Sequence, residues 1–143
     1  MLIGEFNHTL DNKGRVIVPS RFREELQDRI IITRGLENSL FVYSLEEWGF
    51  MEKKLKAMPL AKAEARAFIR IFFSGASDVE IDKQGRILIP QLLREHAALD
   101  KEIVFIGVSN RAEIWSRDNW REYSNKLSQS YEQIAGELID FEF

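Results

Sequence analysis

A pattern of thirteen residues occurs twice in the chain and holds its most chemically informative side chains. It occupies residues 11–23 and 82–94, and five of its thirteen positions are identical in the two copies. Both copies read Asp-x-x-Gly-Arg, followed by a branched apolar run and a proline. An arginine directly after a tight turn can project from the fold, and its guanidinium makes forked contacts with phosphate or guanine. The pattern therefore favours nucleic-acid binding through Arg15 and Arg86.

An ion pair across the turn is the alternative role for each of these arginines. Asp11 lies four residues before Arg15, and Asp82 lies four residues before Arg86. Exposed ion pairs add little stability, which favours nucleic-acid contact for Arg15. For Arg86 both roles stay open, because the second copy has Gln84 where the first copy has Lys13.

The aspartates and glycines of the two turns have structural interpretations. An ionised aspartate accepts backbone N–H groups, so Asp11 and Asp82 are interpreted as turn residues that also orient the arginines. Glycine tolerates a positive φ, so Gly14 and Gly85 are interpreted as backbone requirements of the turns.

The remaining cations of the two copies have two open roles each. At the turns, Lys13 and Lys83 are candidate DNA contacts to phosphate, with solvated surface lysines as the alternative. One helical turn beyond the proline, Arg23 and Arg94 can reach phosphate or pair with a carboxylate within the protein. The carboxylates in question are Glu24 and Asp78, respectively.

Both halves of the chain share one order of elements, so a duplicated domain positions the turns. The likeness extends beyond the pattern, because residues 31–35 resemble residues 103–107 and Trp48 matches Trp120. In each half, a strand leads into the turn, a return strand buried on both sides follows, and two more strands come next. The predicted strands lie at residues 5–10, 15–18, 29–34, 40–43, 78–81, 86–89, 102–107 and 113–115.

Apolar residues at helical spacing follow each set of strands. Ser44 with Glu47 is typical of a capping box that opens a first helix. Pro59 ends that helix and starts a second one, which Gly75 closes. The second half predicts one long amphipathic helix over residues 120–138, whose stripe is core or subunit interface. The apolar stripe of the helix after Pro59 consists of Leu60, Ala63, Ala67 and Ile71.

Charge is unevenly distributed in a chain that is acidic overall. The 143 residues carry a net charge of −3, which by itself argues mildly against nucleic-acid binding. Residues 11–23 have four cations against one acid, and residues 52–70 have six against two. Residues 132–143 have four acids and no cation. One face can therefore be positive on an acidic molecule.

Several classes of function are disfavoured by what the sequence lacks. Without cysteine, disulfides, thiolate zinc sites and cysteine nucleophiles are excluded. His8 and His96 have no partners at metal-ligand spacing, and no nucleophile-elbow, phosphate-loop or zinc-protease motif occurs. No secretory signal is visible, and no apolar stretch approaches the roughly 20 residues that span a bilayer. An enzyme, a metal site and a cofactor are therefore not expected.

The repeated segments resemble the SpoVT/AbrB superfamily of swapped-hairpin DNA-binding proteins. Two copies in one chain, the opening Asp-Asn-Lys-Gly-Arg and the Glu-Ile-Trp ending at Trp115 resemble the MraZ family in particular. The resemblance covers residues 1–123. It implies an α+β fold in which two tandem domains form one pseudo-symmetric, β-barrel-like core with flanking helices. The predicted units are a first domain (1–58), a helical connector (59–75) and a second domain with a C-terminal helix (76–143).

The resemblance also implies a function and its residues. Members of the family regulate the division and cell-wall gene cluster, including their own gene. Their Asp-x-x-x-Arg motif falls on Asp11 with Arg15 and on Asp82 with Arg86. We therefore expect a cytoplasmic, nucleoid-associated regulator that binds double-stranded DNA. The alternative is a protein-interaction module that uses the same hairpins, as an antitoxin-like partner would.

The resemblance further implies a closed ring-like homo-oligomer. The predicted stripe over residues 120–138 offers more apolar surface than one small monomer readily covers, which favours an oligomer larger than a dimer. A ring places several hairpins on one face, so the operator is expected to contain several short direct repeats about one helical turn apart. The acidic side chains of Glu137, Asp140 and Glu142 are expected to point away from the DNA.

Overall fold

The computed structural model describes residues 1–139 and residue 142, and it folds both repeats around one antiparallel sheet. The α+β class expected from the sequence is confirmed. In chain order the elements of the described residues are β1 (Leu2–Thr9), β2 (Arg15–Ile17), α1 (Ser20–Leu26), β3 (Arg29–Arg34), β4 (Leu40–Ser44), α2 (Leu45–Lys56), α3 (Ala63–Ser74), β5 (Ser77–Glu80), β6 (Arg86–Leu88), α4 (Gln91–His96), β7 (Glu102–Ser109), β8 (Ala112–Ser116), α5 (Arg117–Ser128) and α6 (Tyr131–Gly136).

The two repeats exchange their first strands within the six-stranded sheet. Its order is β1-β7-β8-β4-β3-β5, so β1 of the first repeat pairs with β7 of the second, from Leu2↔Ser109 to Thr9↔Glu102. In the same way, β5 of the second repeat pairs with β3 of the first. The pairings of the described residues run from one edge to the other, so barrel closure stays a prediction, as do the domain limits at residues 58 and 75.

The sheet separates two layers. Because strand side chains alternate between faces, Ile30 and Ile32 point to one side and Ile31 and Thr33 to the other. The main core lies on the first side, where α1, α4 and the β2–β6 ribbon contribute Phe22, Leu93, Val16, Val18, Ile87 and Ile89. Helices α2, α3 and α5 pack on the other side, over two separate aromatic clusters.

The return strands are buried on one side only, contrary to the expectation from their branched apolar runs. In the first copy Val16 and Val18 are buried, but Ile17 is 44% exposed. In the second copy Leu88, which aligns with Ile17, is 53% exposed. The reason is that β2 and β6 pair with each other in a ribbon that covers the core with one face and leaves the other face open.

The long helix predicted over residues 120–138 is two helices. α5 ends at Ser128 and α6 begins at Tyr131, so the prediction of one continuous helix is wrong. The break coincides with the run from Ser128 to Ser130, whose serines have low helix preference because their hydroxyls compete for backbone hydrogen bonds. The expectation for Asp140 lies outside the described residues.

Helix α3 turns a different face inward from the one predicted. It begins at Ala63 and not at Pro59, and its buried residues are Ala65 and Phe72. Phe72 stacks on Trp48 with ring centroids 5.5 Å apart. Burial of this large ring outweighs burial of smaller side chains, so the predicted stripe of Leu60, Ala63, Ala67 and Ile71 is exposed.

The predicted start of the first long helix is confirmed. The Glu47 amide donates to the Ser44 hydroxyl at 3.2 Å, which satisfies one of the free N–H groups of the first turn. The second repeat has the same cap, because the Asn119 amide donates to Ser116 at 3.1 Å. Among the described residues, no helix is both long and apolar enough to cross a membrane.

Truncation of Phe22 should destabilise the fold strongly. Phe22 is 1% exposed and meets Phe6 edge to face at 5.2 Å, so Phe22→Ala should cost about 3–5 kcal/mol of unfolding free energy. Leu36→Ala, at a 58% exposed position, is the control and should change it by less than about 0.5 kcal/mol. Urea unfolding measures both, and equal effects would contradict the central place of Phe22.

Candidate nucleic-acid interface

The first turn is organised by one carboxylate. Asp11 Oδ1 accepts the amides of Lys13 at 2.9 Å and Arg15 at 2.8 Å, and Oδ2 accepts Arg15 Nε at 2.9 Å. Gly14 has a φ of 84°, which an L side chain adopts only with strain. The interpretation of Asp11 and Gly14 as turn residues fits this geometry.

The second turn repeats the first nearly atom for atom. Asp82 Oδ1 accepts the amides of Gln84 and Arg86, both at 2.9 Å, and Oδ2 accepts Arg86 Nε at 2.9 Å. Gly85 has a φ of 80°. The lysine of this tip stands one position earlier, at Lys83, and the backbone of the turn is unchanged.

The two alternatives for the turn arginines coexist in the structure. Each arginine is paired with its aspartate through Nε, and its side chain remains about a third exposed, at 32% for Arg15 and 31% for Arg86. Among the described residues, the terminal nitrogens of Arg15 have no hydrogen-bond partner, and those of Arg86 have only Gln84, at 3.4 Å. The carboxylate thus fixes the inner edge of the guanidinium and leaves the outer edge for another ligand.

Strand pairing brings both arginines to one surface. In the β2–β6 ribbon Arg15 lies opposite Leu88 and Arg86 lies opposite Ile17. Residues two apart on a strand share a face, so these four side chains occupy the exposed side of the ribbon. The arginines are diagonal neighbours, which lie about 7–8 Å apart, within reach of long side chains. We call this surface, formed by Arg15, Ile17, Arg86 and Leu88, the ribbon face.

Two exposed apolar residues of the ribbon face were missed from the sequence. Ile17 and Leu88 were predicted to be buried within continuous apolar runs, yet they flank the arginines at the surface. The available signal was strand alternation, since each lies two positions from the arginine of its own strand.

Each turn is also held by the opposite repeat. The Val18 amide donates to the Gly85 carbonyl at 2.8 Å, and the Ile89 amide donates to the Gly14 carbonyl at 2.9 Å. The guanidinium of Arg94 covers Gly14 so closely that a Cβ on that glycine would lie 2.6 Å from Nη1. Arg23 covers Gly85 in the same way.

The internal ion pairs expected as one alternative for Arg23 and Arg94 are contradicted, and contact of either arginine with phosphate stays a prediction. Neither forms an ion pair within the described part of the chain, and Asp78 pairs with Arg29 at 2.8 Å. Arg23 Nε donates to the Val18 carbonyl at 3.0 Å. An arginine at the same position of both repeats was the available sign of a shared role. The sequence could not show that each arginine contacts the turn of the other repeat.

The predicted lysines are exposed at the turns. Lys13 and Lys83 are solvent-accessible, and no ion pair of either is present in the described structure. The histidines lie apart, with His8 edge to face with Phe105 and His96 Nε2 3.2 Å from the Gly35 carbonyl. No cluster of three His, Asp or Glu side chains suited to a metal ion occurs among residues 1–139 and 142.

Comparison with known proteins identifies the family. A family model described as "MraZ protein, putative antitoxin-like" matches residues 1–71 and again residues 72–142. The chain belongs to the MraZ family. It is 59% identical to a Thermoanaerobacter protein over 98% of both chains, and 55% identical to a Moorella thermoacetica protein over 99% of both. A Caldanaerobacter subterraneus protein is 57% identical over 99% of both chains.

These three relatives carry the name "Transcriptional regulator MraZ". The family resemblance of the two Asp-x-x-Gly-Arg segments is therefore confirmed, and so is the expectation of a transcription regulator. The two matches of the family model also confirm that the chain is a tandem repeat.

Ionisation of the turn aspartates should persist to unusually low pH. Hydrogen bonds from the Arg15 amide and side chain lower the pKa of Asp11, and those from Arg86 lower the pKa of Asp82. A lowered folded-state pKa means that the contribution to stability is present above the unfolded pKa and is lost as pH falls through the folded one. Amide shifts of Arg15 and Arg86 should therefore titrate with midpoints below about 3.9, the ordinary aspartate value.

A titration of the ¹H–¹⁵N spectrum from pH 7 to pH 2 measures these midpoints. Midpoints at or above the ordinary value for both turns would contradict the carboxylate geometry.

Proposed function

We propose that the chain is a sequence-specific DNA-binding transcription regulator that presents the ribbon face to the major groove. The single observation that carries the proposal is the geometry of the two guanidinium groups. Asp11 and Asp82 hold their inner edges, which leaves their outer edges available to a ligand. A two-stranded ribbon fits the major groove, and forked arginine contacts distinguish guanine from the other bases. Lys13 and Lys83 supply phosphate contacts beside the ribbon.

Exposed apolar groups complement the arginines on this surface. Ile17 and Leu88 can contact thymine methyl groups, which project into the same groove. The acidic net charge is no obstacle, because residues 11–23 carry four cations against one acid, so that charge is locally positive. The regulated genes proposed are the division and cell-wall cluster, including the chain's own gene, with action in the cytoplasm at the nucleoid.

A protein-interaction module is the second candidate, and a specific observation favours it. Ile17 and Leu88 are exposed apolar side chains at the centre of the ribbon face, as at many protein-binding surfaces. The description of the family model also includes the word antitoxin-like. A retardation assay with DNA from upstream of the gene separates the candidates, since the interaction module has no affinity for a particular operator.

Assembly completes the proposal. One ribbon face offers few cations, so one copy should bind DNA weakly, whereas a closed ring-like homo-oligomer presents several ribbons together. Linked weak contacts gain avidity when they engage simultaneously. The operator proposed for such a ring contains several short direct repeats about one helical turn apart.

Removal of a turn arginine should weaken DNA binding without unfolding the protein. Arg15→Ala should cost about 1–3 kcal/mol of specific binding free energy, measured at fixed salt. Arg121→Ala removes the same charge from α5, on the other side of the sheet, and should leave affinity unchanged. Arg86→Ala measures the second turn in the same assay. Wild-type affinity for Arg15→Ala with an intact thermal transition would refute the proposed role of the first turn.

Affinity should rise steeply with the number of operator repeats. We expect a gain of about 10²–10⁴ between sites with one and with three repeats, and a steep loss with salt because each neutralised phosphate releases counterions. Fluorescence titration against one, two and three repeats at several salt concentrations provides the measurement. Equal affinity for all three sites with a shallow salt slope would show that the copies do not act together.

A further inference from the structure

The β2–β6 ribbon has an approximate two-fold axis. Val16 lies opposite Ile87 at its centre, and on either side of this pair an arginine lies opposite an apolar residue of the other strand. A ribbon with identical ends would make the same contacts with DNA in either direction. A preferred direction on DNA therefore requires a difference between the two ends.

The two ends differ in the pair of residues at each turn tip. The first turn has Asn12 and Lys13, whereas the second has Lys83 and Gln84. All four residues are exposed. Each tip thus holds one lysine and one amide side chain, in opposite order. The net charge of the two tips is the same, but their lysines are one residue out of step.

The amide side chain of the second tip contacts the arginine of its own turn. Gln84 Oε1 accepts a long hydrogen bond from Arg86 Nη2, at 3.4 Å. Lys13 holds the equivalent position beside Arg15, and an ammonium group has no acceptor for an arginine. Within the described structure Arg15 therefore keeps both terminal nitrogens without a hydrogen-bond partner, whereas Arg86 has one of them engaged.

This difference bears on base recognition. A forked contact to guanine takes two N–H donors from one guanidinium. Arg15 offers both terminal nitrogens for such a contact, whereas Gln84 competes for one of those of Arg86. The lysines, which position a protein on the phosphates, also meet the DNA backbone at different places. The first end is therefore the stronger guanine reader of the two.

We propose that the tip residues Asn12-Lys13 and Lys83-Gln84 set the direction in which each chain lies on its DNA site, with the first turn over a guanine. This assignment rests on the proposed function, in which the ribbon face enters the major groove. Gln84 is then a positioning residue that acts through Arg86, and the two turns read different parts of a non-palindromic site. Copies that all lie in one direction match direct repeats and not inverted ones.

Site-directed DNA cleavage measures this direction. The chain has no cysteine, so one introduced cysteine can carry an iron chelate that cleaves nearby DNA. Ser20 begins α1 beside the second turn, and Gln91 begins α4 beside the first turn. Both residues are exposed. The probe is a duplex with a single operator repeat from upstream of the gene. Ser20→Cys should direct cleavage to one side of the repeat, and Gln91→Cys should direct it to the other side.

The size of the preference follows from the forked contact. The ratio of cleavage on the two sides should be at least about fivefold for each label, because one such contact distinguishes bases by about that factor or more. Gln84→Ala releases Arg86 and should lower this ratio. Gln133→Ala, at an exposed position of α6, is the matched control and should leave the ratio unchanged.

An exchange of the two tips keeps the composition and the net charge of the chain. The exchanged variant combines Asn12→Lys/Lys13→Gln with Lys83→Asn/Gln84→Lys. Its cleavage should move to the opposite side of the repeat for both labels, with unchanged affinity. Its thermal transition should match that of the wild type, because the hydrogen bonds of the two turn backbones are equivalent.

Half exchanges make the two tips alike. Lys83→Asn/Gln84→Lys gives both turns Asn-Lys, and Asn12→Lys/Lys13→Gln gives both turns Lys-Gln. Each half exchange should cleave both sides of the repeat about equally. If the exchanged variant loses its cooperative thermal transition, the folded half exchanges decide the matter, and a ratio like that of the wild type overturns the proposal.

The remaining outcomes separate this proposal from the DNA-binding function itself. Equal cleavage of both sides by the wild type overturns the proposal, although the protein binds DNA. A folded exchanged variant that keeps the wild-type direction also overturns it, since another difference between the ends, such as Ile17 against Leu88, then sets the direction. Loss of affinity in that variant contradicts it as well. A wild-type chain that retards no operator DNA refutes the proposed function, and the proposed direction with it.

Discussion

The exchange of main-chain hydrogen bonds between the two turns holds the ribbon together. Val18 of the first repeat donates to Gly85 of the second, and Ile89 donates to Gly14. Each turn is therefore tied to the other repeat by one main-chain hydrogen bond. The exchange fixes the register of β2 on β6, and that register sets which side chains reach the ribbon face.

Glycine at each turn serves two purposes, and both depend on the absence of a Cβ atom. The positive φ of Gly14 bends the chain, and its missing Cβ leaves room for the guanidinium of Arg94. The same arrangement joins Gly85 and Arg23. A side chain at either glycine would strain the turn and displace the arginine that crosses from the other repeat.

The pseudo-symmetry is not complete. The two repeats differ in one arginine contact and in the helices that pack on their aromatic clusters. Arg23 Nε is hydrogen-bonded to Val18, whereas the buried Nε of Arg94 has no hydrogen-bond partner among the described residues. In the first repeat α2 and α3 both pack on the aromatic cluster, whereas in the second Trp120 and Tyr123 of α5 pack on it.

Short-range chemistry determined much of what was predicted correctly from the sequence. The Asp-x-x-Gly-Arg turns and the Ser44 cap depend on atoms within four residues of one another, so their residue types nearly specify their geometry. The internal repeat gave the duplicated element order, and the family resemblance gave the fold class. The proposed roles of Lys13, Lys83, Arg15 and Arg86 in binding remain predictions.

Contacts between residues that are far apart in the sequence were decided by the tertiary structure alone. The sequence could not place Arg94 over Gly14, because the two are eighty residues apart and their contact depends on strand exchange. Nor could it choose the inward side of α3, since that helix has apolar residues on two sides and the choice of Phe72 over Ile71 depends on packing against Trp48 and its neighbours. Periodicity shows that a side is apolar, but burial depends on which neighbouring surface the folded chain brings against it.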